Sequence, residues 1–214
     1  MVKQTEFSFG KMSVKILHQV WVQGEEDLPL SFKENREKWR VELTDEWEMV
    51  LWDDESASER WPEFKEVSKI CNCHAMRADI ILALALRDIG GVATGTDVIP
   101  NNIPDFLRFI DVTDTMVITN PQGKACSNGL VWMAQPQHPL MKCVCKHQLR
   151  DKKLLEKGNV WHITGPKAWW QAVNARMWDL TMVTDRKAYT RMYSDKKPTN
   201  TKGWVDAGYA GSWH

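Results

Sequence analysis

Apolar positions fall into short runs separated by charged stretches, and the two alternate along the first half of the chain. Residues 14–22 (VKILHQVWV) are apolar and β-branched and stop before Gly24, which predicts a buried first strand. Residues 30–42 are mostly charged, with Phe32, Trp39 and Val41 interspersed, and predict an amphipathic helix. Residues 47–52 (WEMVLW) predict a second strand, ended by Asp53 and Asp54. Residues 58–70 place Trp61, Phe64 and Val67 near one face of a helix, with Pro62 in its first turn. Residues 74–89 (HAMRADIILALALRDI) carry the strongest helical signal, rich in Ala and Leu and stopped by Gly90-Gly91. A short strand, VAT, then runs into GTDV. Strands are predicted again at 115–120 and 128–134, and helices at 138–150 and 166–178, each helix with a proline near its start. From Asp185 onward the periodicity fades. The alternation predicts an α/β fold: a mixed, mostly parallel central sheet flanked by helices, in a single domain over 1–214.

The bulk numbers narrow the partners. Lys+Arg and Asp+Glu number 28 each in 214 residues, and this balance argues against nucleic acid or an anionic membrane surface as the partner. No apolar run approaches the roughly 20 residues that span a bilayer, so no membrane span is expected. The first 15 residues lack the apolar stretch of a secretory signal, and a cytoplasmic location is expected. Cys71, Cys73, Cys126, Cys143 and Cys145 form two C-x-C pairs and one single cysteine, with His74 and His147 nearby. That spacing is tighter than structural zinc sites use, so free, partly buried thiols are expected over a zinc-stabilised structural protein. The 12 tryptophans are unusual, and their flat faces suit both a core and the stacking of sugars or bases.

The segment from Arg77 to Val98 is the candidate for chemistry. A buried helix runs through two glycines and a short strand and delivers Gly95-Thr96-Asp97. In an open α/β sheet ligands bind beyond the carboxyl ends of the strands. A carboxylate there suits a hard cation, Mg²⁺ or Mn²⁺, that also takes phosphate oxygens and neutralises charge on a departing phosphate. A turn or helix cap is the plainer role for such an aspartate.

KILHQVWV, WEMVLWDD, MRADIILALALRDIGGVATGTDV, CSNGLVWMAQPQHPLM, TGP and AGSW occur here in one order. This resembles the glycosyltransferases with a DXD-containing sugar-binding region, the group of the yeast initiating mannosyltransferases, which share a core with the clostridial glucosylating toxins. The short, tryptophan-rich form is similar to the glycosyltransferase domains that open chlorella virus multidomain proteins. The resemblance implies a GT-A type fold and a metal-dependent, retaining transferase. Such an enzyme moves a hexose or deoxyhexose from a UDP-sugar to a glycan hydroxyl, in viral capsid glycan synthesis and in the host cytoplasm. It also implies that the chain belongs to a larger multidomain protein.

The same resemblance implies roles by position. Trp21 stacks on the base, where a buried strand-end tryptophan is the alternative. Asp79 hydrogen-bonds ribose or sugar hydroxyls. Arg77 reaches the phosphates or forms a structural ion pair. Thr96 and Asp97 belong to the DXD-like turn, and Asp97 binds the metal. Gly95 stands where the family has its first aspartate, which puts donor orientation in question. Ser212 and Trp213 reach the metal or the β-phosphate, and His214 is a further metal ligand or simply a chain end. Asn128 contacts sugar or acceptor, and Asp53 and Asp54 line the same cleft. Residues 185–211 are a lid over the diphosphate, with Lys196, Lys197 or Lys202 offering charge. The departure at Gly95 motivates a rival, a non-catalytic module that binds sugar nucleotides or glycans.

Overall fold

Strand β1 (Ile16–Val20) lies between β2 (Glu48–Trp52) and β3 (Gly91–Thr94) and is parallel to both. These and all later positions come from a computed structural model that describes residues 15–119, 126–175, 177–191 and 202–207. Strand β6 (Cys126–Met133) runs antiparallel to β3 on one side and to β5 (Thr115–Thr119) on the other. Strand β7 (Thr181–Thr184) pairs parallel to β5, which gives the order β2-β1-β3-β6-β5-β7. β6 is the reversed strand because it follows β5 through a short connection, which only antiparallel neighbours permit. Its beginning therefore lies at the edge where β1 and β3 end.

Helices cover both faces, and the strands are apolar on both sides to match. One face carries α1 (Leu30–Glu42) and α5 (Ile103–Ile110), where Trp39 and Phe106 pack with Leu17, Val92, Leu130 and Trp132. The other carries α3 (Pro62–Ser68), α4 (His74–Asp88), α6 (Pro139–Leu149) and α9 (Pro166–Asn174), packed on Val20, Ala93 and Val131. Ile80, Ile81 and Leu84 of α4 are fully enclosed, each contributing roughly 1.5–3 kcal/mol by leaving water. Short helices α2 (Asp54–Arg60), α7 (Lys152–Lys157), α8 (Val160–Ile163) and α10 (Asp185–Ala188) complete the connections.

Gly90 and Gly91 do more than stop α4. Both have positive φ, 83° and 91°, and a Cβ on Gly91 would lie 2.4 Å from the Ile16 carbonyl oxygen of β1. Only glycine lets the chain leave the helix and enter the sheet this closely.

The single helix expected over 58–70 is two. Trp61 is extended (φ −123°, ψ 100°) because Pro62 disfavours a helical residue before it, so α2 ends and α3 starts at the proline. The described part of the expected lid is packed structure. Strands β4 (Ile99–Pro100), β9 (Val205–Asp206) and β8 (Tyr189–Arg191) form a second sheet in the order β4-β9-β8. Tyr189, Trp204, Val205 and Ala207 are buried there. Apolar side chains spaced among polar ones carried no readable period, yet they find a face against α5.

Candidate functional site

Asp97 sits in the turn that follows β3, where the Val98 N–H donates to the Gly95 carbonyl at 3.2 Å. Thr96 and Asp97 are buried. Helix α1 holds this turn by its backbone. Asn35 Nδ2 donates to the Thr96 carbonyl at 3.4 Å, and Trp39 Nε1 to the Val98 carbonyl at 2.9 Å. Between them Arg36 Nη1 donates to Gln19 Oε1 at 2.8 Å, and Gln19 Nε2 donates to the Gly95 carbonyl at 3.3 Å. A Cβ at Gly95 would meet Asp97 Oδ1 at 2.4 Å. A side chain at position 95 would thus require the Asp97 carboxylate to shift.

Across the end of β3 lies a second polar group. Asp79 of α4 is buried, and both of its carboxyl oxygens are engaged. Oδ1 accepts from Asn128 Nδ2 of β6, and Oδ2 accepts from Thr164 Oγ1 at 2.8 Å. Thr164 is fixed in turn by Gln148 Nε2, which donates to its carbonyl at 2.7 Å. Burial pushes the Asp79 carboxyl up to about 7, against the smaller opposing pull of the two hydrogen bonds. Asp79 therefore lies beneath Asn128 and orients its amide; half-buried Asn128 is the member nearer the surface. The register Thr94↔Leu130 sets Asn128 just past the end of β3, level with the Gly95–Asp97 turn.

Trp21 follows β1 and is half-buried. Its ring meets Phe32 of α1 edge-on at 5.6 Å, and its Nε1 is buried without a partner among the described residues. Arg77 forms an ion pair with Asp54 in the first turn of α2. Its Nε, and Asp54 Oδ1, are buried without partners among the described residues. Burial, opposed by Arg77, raises the Asp54 carboxyl. Asp53 is a cap: its carboxylate accepts from the Ser56 N–H at 2.8 Å, and the Ser56 hydroxyl accepts from the Asp53 N–H. One strand over, buried His18 is held neutral, its imidazole pushed down to about 4 by burial. Its Nδ1 accepts from Trp52 Nε1 at 3.2 Å, so Nε2 donates to the Gly90 carbonyl at 2.8 Å.

The site therefore brings together Trp21, Gly95, Thr96, Asp97, Asp79 and Asn128 at the carboxyl edge of β1 and β3. Ser212, Trp213, His214, Lys196 and Lys197 lie outside the described residues, and Lys202 is exposed. Among the described residues no three His, Cys, Asp or Glu side chains gather as a metal cage, and the cysteines are free thiols. A cation carried by a nucleotide needs no such cage: one or two carboxylates, phosphate oxygens and water suffice. Asp97 fits that donor set; the other described carboxylate of the site, Asp79, is engaged by Asn128 and Thr164. Gln19, Asn35, Arg36 and Trp39 were not legible as site residues, because helical spacing alone marked α1 as an ordinary amphipathic helix.

No family model matches the chain. It is 23% identical over 208 residues to an uncharacterized glycosyltransferase of Acanthamoeba polyphaga mimivirus, covering 92% of this chain and 72% of that protein. Among solved structures it is similar to the PaToxG glycosyltransferase, with a TM-score of 0.58 and 14% identity over 76% of this chain and 69% of that one. Mouse xyloside xylosyltransferase 1 in its apo form aligns at a TM-score of 0.46 and 11% identity over 91% and 84% of the two chains. The fold, a mostly parallel six-stranded sheet between helices, is that of the GT-A glycosyltransferases. By sequence the chain is a homologue of a viral glycosyltransferase.

Among the described residues no helix is long and apolar enough to cross a membrane.

Proposed function

We propose that this chain is a glycosyltransferase that binds a nucleotide-sugar, a UDP-sugar in the first place, at the carboxyl edge of β1 and β3. It transfers a hexose or deoxyhexose to a glycan hydroxyl. The observation that carries the proposal is the convergence, in a GT-A fold, of the Asp97 turn, the Asn128 amide and the Trp21 ring on that edge. Asp97 would hold a divalent cation, Mn²⁺ or Mg²⁺, which supplies positive charge to the leaving diphosphate. Trp21 offers a face to the base, and its unpartnered Nε1 a donor. Asn128, its Nδ2 committed to Asp79, presents its oxygen as an acceptor for a sugar or acceptor hydroxyl. The expected outcome is retention of configuration, with viral capsid glycan as the acceptor class.

Incubation with Mn²⁺ and a panel of UDP-sugars tests this. Slow release of free UDP that needs the metal and disappears in Asp97→Ala supports the transferase. Nucleotide binding with no hydrolysis or transfer from any donor supports the binding module instead, the outcome that Gly95 in place of a second carboxylate would favour.

A further inference from the structure

Arg36 is 6% exposed, yet among the described residues no carboxylate pairs with it, and one of its five N–H donors is engaged, by the neutral amide of Gln19. A charged guanidinium taken out of water is costly unless it meets an opposite charge. Desolvation accordingly lowers its pKa, opposed by the field of Glu25.

Its position says where that charge comes from. Gln19 and Trp21 are two apart at the end of β1 and share a face. Phe32 and Arg36 are four apart on α1 and share one too. Phe32 meets Trp21 and Arg36 meets Gln19, so α1 and β1 make two rungs, aromatic and cationic. Gln19 reaches on to the Gly95 carbonyl, which sets Arg36 between the Trp21 ring and the Asp97 turn. That is the span a nucleotide would cover from base to diphosphate.

We propose that Arg36 is an anion-binding residue of this site, whose N–H groups beyond the one given to Gln19 donate to the diphosphate of the bound nucleotide. The assignment rests on the nucleotide-sugar reading above. Arg36 brings positive charge to the side where the site lacks a carboxylate at position 95, so the diphosphate is held by a cation on Asp97 and by a guanidinium.

Calorimetry with UDP, uridine and inorganic pyrophosphate in Mn²⁺ tests it, on the wild type, Arg36→Gln, Arg36→Lys and Gln19→Glu. Arg36→Gln is expected to weaken UDP and pyrophosphate by roughly tenfold or more, as loss of a charge-assisted hydrogen bond does, and to leave uridine within about twofold. Arg36→Lys should fall between. Gln19→Glu gives the guanidinium an internal counter-charge but also removes the donor to the Gly95 carbonyl, so it is read in addition on pyrophosphate without Mn²⁺, where the Asp97 turn holds no metal; it should weaken UDP and pyrophosphate but not uridine, and it reports even if Arg36→Gln fails to fold. Unchanged UDP affinity in Arg36→Gln or Gln19→Glu overturns the proposal, as does equal loss of UDP and uridine. If the wild type binds neither UDP nor uridine, the nucleotide reading falls. Pyrophosphate then decides Arg36 alone: binding that Arg36→Gln weakens keeps the anion site, and no such difference removes it.

Discussion

Replacing Asp79 with asparagine isolates one buried carboxyl group and predicts an unusual gain. In the folded protein this carboxyl holds its proton to about pH 7, whereas an exposed aspartate releases it near 3.8. Its contribution to stability is fully present below about pH 4. As pH rises from there the unfolded chain gives up the proton while the folded one keeps it, so stability falls by about 1.4 kcal/mol per pH unit. The loss is complete once pH passes about 7, at roughly 4 kcal/mol as an upper bound for this group. The neutral carboxyl is well served. Oδ1 still accepts from Asn128, while a proton on Oδ2 is donated to Thr164, whose hydroxyl turns to the Val160 carbonyl 3.5 Å away. An amide at this position makes the same two contacts without a titrating proton. Urea unfolding at about pH 5 and about pH 8 is the assay. Asp79→Asn should be flatter with pH than the wild type and the more stable of the two at about pH 8. Asp79→Ala strands both partners and opens a small gap, and should be about 2–4 kcal/mol weaker than Asp79→Asn. Parallel pH profiles for wild type and Asp79→Asn would refute the reasoning.

Two further outcomes follow from glycine positions. Gly95→Asp restores the letters of a DXD motif but sets a Cβ 2.4 Å from Asp97 Oδ1; it should cost about 1–3 kcal/mol in urea unfolding and weaken, not strengthen, Mn²⁺-dependent UDP binding. Gly91→Ala forces a side chain onto a residue at φ 91° and against Ile16 of β1; a loss of about 3 kcal/mol or more is expected by thermal or urea unfolding, and a change under about 1 kcal/mol would contradict the packing.

Local signals recovered what local physics fixes. The run at 14–22, the alanine-leucine helix at 74–89 and its glycine stop were legible because burial on both faces and a left-handed turn leave plain marks on residue type. The position of Asp97 just past a strand could be read as well, since GTDV follows VAT directly. The second sheet was not. β4 and β9 have two residues each, too short for any period, and they pair across more than 100 positions of chain. Helix α5 carried no expectation either: it has eight residues, about two turns, with Asn102 as its cap and Pro104 in its first turn. At the site, the difference between Asp53 and Asp54 is a matter of partners: one caps a helix, the other meets Arg77. Neighbouring aspartates look alike until the chain is folded. The contacts of Asp79 with Asn128 and Thr164, 49 and 85 positions away, were likewise beyond any local pattern.

Helix α1 grips the turn around Asp97 by the carbonyl oxygens of Thr96 and Val98, groups that every residue type possesses. The contour of that loop is consequently dictated from outside, through main-chain oxygens that no substitution at 96 or 98 removes, while the buried side chains at those positions answer only to packing. A motif spelled in letters can erode in this way while its scaffold persists, and the surer trace to look for is the asparagine and tryptophan four positions apart on the first helix.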